Sequence, residues 1–173
     1  IIKYSKYIGF LQKNIQRRDN MLTKRNLTFF RKAKSMTELS DFNRVHIGCV
    51  AVYSGKIIGA GCNKYKTHPI QKKYDSYREI HLGNNVSNLH SLHAEIACLT
   101  SIKKDVPFDK VELYIYRKMT KKPFGLARPC PACMAMIKNL GIKKIYYTTD
   151  DGFAFEQLET ELLEEDEKDV IKN

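Results

Sequence analysis

Two short motifs constrain this chain more than anything else in it: His93-Ala94-Glu95 and, further on, Pro129-Cys130-Pro131-Ala132-Cys133. Each stands where an apolar helical pattern begins. From Leu92 to Lys104 the residues Ile96, Leu99 and Ile102 recur on one side. After Pro131 the residues Met134, Ile137 and Leu140 do the same, until Gly141 ends the helix. Pro131 suits a first helical position, where its missing N–H is no loss. Cysteines at i and i+3 on a first turn face the same way, and the partial positive charge of that helix end favours their thiolates. Joined by His93 they make a three-ligand set, which leaves tetrahedral zinc a fourth position for water. Glu95, two residues from the ligand, is placed to accept that water's proton and pass it on as a general acid.

Other readings of the same residues are weaker. A C-x-x-C alone can be a redox pair, but redox chemistry needs no H-x-E. A structural zinc wants a fourth protein ligand, for which His68, His81, His90, Cys49, Cys62 and Cys98 are the nominees. None has matching spacing. Cys49 and Cys62 sit inside expected strands and Cys98 on the helix after His93, so small buried thiols are expected there. Five cysteines, only two of them close together, are no disulfide scaffold.

Around the motifs the chain reads as one domain of 173 residues, 43% of them hydrophobic, which suffices for one full core. An amphipathic helix is expected from Leu22 to about Leu39. Val45–Tyr53 and Lys56–Cys62 are β-rich and flank Ser54-Gly55, a hairpin signal. Residues 63–91 are polar and long for a loop, so they are either functional or carry a helix of their own. Val111, Leu113 and Ile115 alternate with polar and aromatic neighbours as a strand does, residues 117–128 form a basic loop, and Lys144–Thr149 is a fourth strand. After the Asp150-Asp151-Gly152 turn, Phe153–Leu158 is a fifth strand or the start of a last helix. A hairpin followed by two β–α crossovers gives a mixed sheet layered with helices. The domain is expected over residues 21–158, with an acidic tail at 159–173.

The formal charge of +11 is unevenly spread: +4 in residues 1–20 and −8 from Asp150 onward, leaving +15 between them. That excess fits a phosphate-bearing ligand as well as it fits nucleic acid. No stretch approaches the roughly 18 apolar residues of a membrane helix, and the start lacks a signal-peptide core, so a cytoplasmic protein with no membrane partner is expected. A homo-oligomer is compatible with the chain. The first methionine is Met21, and Gln16–Asn20 can be encoded by a purine-rich ribosome-binding sequence at a plausible distance before it. Residues 1–20 are accordingly expected to be either translated leader or an ordinary basic extension.

From the VHIGCVAVYSGKIIGAGCN hairpin through LHAEIACL to RPCPACMAMIKNLGIKKIYYTT, most of residues 27–149, the chain resembles the zinc-dependent cytidine/deoxycytidylate deaminase superfamily. The resemblance implies an α/β/α three-layer fold around a mixed five-stranded sheet, with Zn2+ held by His93, Cys130 and Cys133 between two helix N-termini. It implies that Glu95 carries protons while water replaces the amine of a nucleobase. It further implies that Asn63 projects into the pocket to bond sugar or base, and that a carbonyl at or near Leu92 receives the amine.

The substrate is less constrained. Relatives acting on free cytidine have an acid two residues after this Asn, where the present chain has Asn63-Lys64-Tyr65. Deoxycytidylate deaminases carry a longer insertion before H-x-E and basic residues for phosphate. The insertion here, with Lys64, Lys66, Lys72, Lys73 and Arg78, fits that outline, and Arg128 beside the metal cysteines is a further phosphate candidate. The alternative for Arg128 is a pairing with the acidic tail. The tRNA adenosine deaminases have Glu before P-C-x-x-C, unlike Ala127-Arg128. The tight turn after the fourth strand points the other way, to the nucleoside branch with its antiparallel last strand. The expectation is a hydrolytic deaminase of cytosine at nucleotide level (dCMP or CMP), with Lys64, Lys66 and Arg128 near the phosphate. Deamination of cytosine or adenine within single-stranded DNA or RNA is the alternative, with loop tyrosines stacking on bases, and a non-catalytic zinc protein is the minor one.

Overall fold

The computed structural model of the chain describes residues 15–16, 23–43, 45–82 and 91–159. Its strands are β1 (Ile15–Gln16), β2 (His46–Tyr53), β3 (Lys56–Cys62), β4 (Glu112–Lys118), β5 (Lys144–Thr148) and β6 (Phe153–Gln157), and its helices are α1 (Lys24–Thr37), α2 (Pro69–Leu82), α3 (Ala94–Thr100) and α4 (Pro131–Asn139). The central five strands lie in the order β6-β5-β4-β2-β3, with the two-residue β1 antiparallel on the outer edge of β6. Two residues of the segment expected as leader or basic extension thus pair with the sheet. The rest of residues 1–20 lies outside the described residues, as does the acidic tail beyond Glu159.

Only β4 and β5 run parallel, joined across α4; the remaining pairs are antiparallel. The Ser54-Gly55 hairpin turn forms as its sequence demands, with φ of 48° and 75° at its two central residues. After β5 the chain reverses at once, closed by a 2.8 Å bond from the Thr149 N–H to the Gly152 carbonyl. Phe153–Gln157 is therefore a strand, antiparallel to β5.

Alternation along the strands sorts the two cores. Val50, Val52, Tyr114 and Tyr116 meet Phe29, Phe30 and Ala33 of α1 on one face. Cys49, Ala51, Leu113, Ile115 and Ile145 meet the residues of α3 and α4, together with Tyr74 of α2, on the other. The helices press onto backbone from both sides: a Cβ at Gly48 would lie 2.1 Å from the Ala33 carbonyl oxygen, and one at Gly61 2.4 Å from the Cys98 nitrogen. These two positions need glycine because no side chain fits between sheet and helix. Cys49, Cys62 and Cys98 are buried thiols at these packed surfaces.

Of the two readings open for residues 63–91, the helix forms: the segment contains α2, opened by Pro69. The helix expected from Leu92 to Lys104 spans only Ala94–Thr100. Ser101 ends it: its hydroxyl donates to the Cys98 carbonyl at 2.7 Å and accepts from the Ala60 N–H of β3 at 3.0 Å. This side chain bonds the sheet instead of letting the chain continue as helix.

Candidate active site

His93 and Cys130 are the residues immediately before α3 and α4, both with extended backbone and neither capping its own helix. Their side chains are free to meet. His93 Nδ1 lies 3.4 Å from Cys130 Sγ and 3.3 Å from Cys133 Sγ, and the three ligand atoms lie within 4.8 Å of one another. A zinc with bonds of about 2.3 Å to sulfur and about 2.0 Å to nitrogen spans N···S separations of roughly 3.5 Å at tetrahedral angles, so this donor set fits the ion. Among the described residues no other group of three or more such side chains could hold a metal. His68 bonds the Ile70 N–H, Cys49 and Cys98 pair with each other, and the side chains of His81 and His90 lie outside the described residues.

The two cysteines shift in opposite directions. A hydrogen bond from Cys133, helped by His93, holds the Cys130 thiol down at about 4. Burial, followed by the Cys130 thiolate, pushes Cys133 well above the ordinary thiol range. Burial also pushes the Glu95 carboxyl up. Burial alone would lower His93, but the neighbouring Cys130 and Glu95 outweigh it and raise it. Glu95 is 5% exposed and lines a cavity of about 290 Å³ whose wall also includes His93 and Cys130. That volume suits a small polar ligand.

Behind the histidine, α2 supplies a set of buried polar side chains. Gln71 is fully buried; its Oε1 accepts from the His93 N–H at 3.0 Å and its Nε2 donates to Asp75 Oδ1 at 2.7 Å. Arg78 Nη1 lies 3.3 Å from His93 Nε2 and 3.9 Å from Asp75 Oδ1. Arg78, which by sequence belongs with the phosphate-binding candidates, is turned by the fold to the back of the metal ligand. Neither Gln71 nor Asp75 was singled out. Their spacing of four on one helical face was the available signal.

The mouth of the cavity is assembled from several segments. Asn63 lines it, and its amide accepts from the Ile47 N–H (2.9 Å) and the Ser40 hydroxyl (2.7 Å) and donates to the Val45 carbonyl (2.8 Å). One Nδ2 proton remains for a ligand. Lys64 does not line the cavity; its ammonium is drawn to the Leu39 carbonyl, and its backbone forms a bridge with Leu92 that ties the end of β3 to the start of α3. The Leu92 carbonyl, named as an acceptor for the leaving amine, accepts here from the Lys64 N–H at 2.9 Å. Lys66 is exposed and likewise outside the lining.

Arg128 does line the cavity, gripped by Glu156 through two bonds of 2.9 and 2.7 Å. This is the acidic-partner alternative for Arg128, met by a residue of β6. Arg117 also lines the cavity and was missed. Placed in a basic loop by sequence, it belongs to β4, on the same face as Leu113 and Ile115, and the period-2 pattern run two residues further would have found it. Phe42 stacks on Tyr65 at the rim, ring centroids 4.1 Å apart, with Tyr65 53% exposed.

Comparison with known proteins agrees with this geometry. Residues 23–149 match the family model described as the cytidine and deoxycytidylate deaminase zinc-binding region. The dCMP deaminase of cyanophage S-TIM5 superposes with a TM-score of 0.52 in its apo form at 25% identity, covering 75% of this chain and 86% of that one. Its complex with dCMP and dUMP gives 0.51 at 26% identity, covering 73% and 82%. A cytidine deaminase from Burkholderia pseudomallei shares the fold, with a TM-score of 0.52 at 16% identity over 79% of this chain and 93% of its own. The tRNA-specific adenosine deaminase subunit tad2 of Schizosaccharomyces pombe is 28% identical over 124 residues, 69% of this chain; the match spans only 25% of that protein's length.

Proposed function

The chain belongs to the cytidine and deoxycytidylate deaminase zinc-binding family, and we propose that within it this protein hydrolyses the exocyclic amine of a cytosine nucleotide. The observation that carries the reading is Glu95: a buried carboxylic acid in the wall of the cavity that His93 and Cys130 also line. Zinc held by His93, Cys130 and Cys133 would supply a Lewis acid that makes water acidic near neutral pH. Glu95 takes the proton of the attacking water and delivers it to N3 of the base as the oxygen adds to C4. It then carries a second proton to the amine, the C4–N bond breaks, ammonia leaves and a carbonyl remains. One carboxylate serves both transfers because water and amine meet at the same carbon. A nucleotide-level substrate is supported by the likeness to a dCMP deaminase seen with dCMP and dUMP and by two arginines in the cavity wall.

A second reading, deamination within a polynucleotide, is favoured by the tad2 likeness and by the exposed Tyr65 beside Phe42 at the rim. The test is ammonia release by zinc-reconstituted protein from dCMP, CMP, cytidine, deoxycytidine and single-stranded DNA or tRNA. dCMP or CMP should be the best substrate. Glu95→Ala should keep its zinc and lose about 10²- to 10⁴-fold in turnover. Turnover confined to polynucleotide would transfer the assignment to the second reading, and activity of Glu95→Ala within about tenfold of wild type would remove Glu95 from the chemistry.

A further inference from the structure

The two arginines in the cavity wall are not equivalent. Arg128 is held edge-on by Glu156, itself only 5% exposed, so its charge is largely matched within the protein. Arg117 makes no ion pair among the described residues. One Nη1 proton goes to the Leu126 carbonyl at 3.3 Å, and Nε is buried with no partner among the described residues. A buried guanidinium proton without an acceptor is costly, and the group is a planar fork shaped for paired anionic oxygens.

The backbone fixes where that fork sits. Arg117 is opposite Ile47, another lining residue, in the β2–β4 register. Its N–H donates to the Thr148 hydroxyl at 3.1 Å, that hydroxyl donates to the Gly125 carbonyl at 2.7 Å, and the Gly125 N–H returns to the Arg117 carbonyl at 3.1 Å. The loop after β4 is thereby folded back so that Leu126 and Arg128 close over the ends of the parallel strands, the usual ligand position in an α/β sheet. The cavity wall has one carboxyl, Glu95, and the sulfur of Cys130 at the metal corner, and arginine elsewhere.

We infer that Arg117 is the specificity-determining residue for a phosphate monoester on the substrate, its terminal Nη groups bonding phosphate oxygens while Arg128, fixed by Glu156, adds field from beside it. This rests on the nucleotide-level reading above and goes beyond it by naming the residue that separates nucleotide from nucleoside. One unpaired guanidinium in the cavity wall matches a single phosphate better than a strand of phosphodiesters, which needs a track of cations.

The experiment compares wild type, Arg117→Gln and Arg117→Lys, all zinc-reconstituted and matched in zinc content and melting temperature. The ratio of KM for dCMP to KM for deoxycytidine should rise roughly 10- to 100-fold in Arg117→Gln, the worth of a lost charge-assisted pair. Arg117→Lys should recover part of it, restoring charge without the fork. A ratio that stays within about twofold of wild type overturns the assignment while leaving the deaminase reading intact. If wild type turns over neither dCMP nor deoxycytidine, the nucleotide-level reading has failed, and Arg117 is judged by calorimetric titration with inorganic phosphate. Binding by wild type that disappears in Arg117→Gln upholds the phosphate site. Equal binding, no binding by either protein, or a loss seen only with a single-stranded oligonucleotide overturns it.

Discussion

The metal corner and the mouth of the cavity lie within one pocket yet are built in opposite ways. At the corner, two motifs at two helix starts bring the ligand atoms within 4.8 Å, and Gln71 and Asp75 hold the arrangement from behind by bonds of 2.7 to 3.0 Å. At the mouth, Phe42, Asn63, Arg117 and the 126–128 stretch come from separate parts of the chain and meet only because strand ends lie side by side. Helical spacing therefore sets the corner, while tertiary packing sets the mouth. Reaction chemistry needs the first kind of precision, and choice of substrate can be altered through the second without disturbing it.

The hardest blow to that contrast falls on the corner itself. Cys130→Ala or Cys133→Ala should reduce bound zinc from about one per chain to near none and abolish turnover, since two remaining ligands do not make a closed site. Metal analysis of the purified variants is the measurement. Full occupancy in either one would mean that the corner is not the metal centre and that the division of labour drawn here is wrong.

A smaller effect is expected one layer back. Gln71→Ala removes the acceptor of the His93 N–H and frees the buried Asp75, while leaving every ligand in place. Zinc affinity should weaken about 10- to 100-fold, the usual scale for a partner that orients a ligand, and chelator competition reads it directly. Asp75→Asn should do less, because the amide oxygen can still accept from Gln71. If neither variant shifts the affinity, the motifs suffice alone and α2 is only packing.

Legibility in the sequence follows the same division. The hairpin, α4 and the two motifs could be read because each is specified within a few residues: two turn positions, a proline, an i and i+3 pair. The orientation of β6 stayed open in the sequence, where Phe153–Leu158 reads as a strand or as the start of a helix and only the short turn before it favours reversal; the structure has the antiparallel strand. α2 was open between loop and helix because its apolar face is sparse; it packs Tyr74 into the core, while Gln71 and Asp75 on its buried side are polar. The partners of Arg128 and the placement of Arg117 depend on contacts 28 and 31 residues apart, and no local pattern encodes those. Sequence proximity to Asn63 and to the metal cysteines nominates Lys64, Lys66 and Arg128; of these only Arg128 lines the cavity, and the register of β4 brings Arg117 into the same wall.

Basic residues near the mouth fall into two kinds, inside and outside the cavity wall. Lys64 and Lys66 follow the pocket Asn in sequence, yet neither lines the cavity, and the Lys64 ammonium is drawn to the Leu39 carbonyl. Removing either as Ala should change KM for dCMP by less than about threefold, since a solvated charge outside the pocket is screened within roughly 10 Å at ordinary ionic strength. The two sites also predict different responses to salt. Exposed lysines act through the long-range field, so whatever they contribute should fade between low and moderate salt. A contact in the cavity wall at Arg117 should persist much longer. Measuring KM for dCMP at two salt concentrations in Lys64→Ala, Lys66→Ala and Arg117→Gln separates these behaviours. If the lysine variants raise KM as strongly as Arg117→Gln, the phosphate is held outside the cavity. If instead they weaken binding of a short single-stranded oligonucleotide, with a steep salt slope and little change for dCMP, the basic surface serves a polynucleotide.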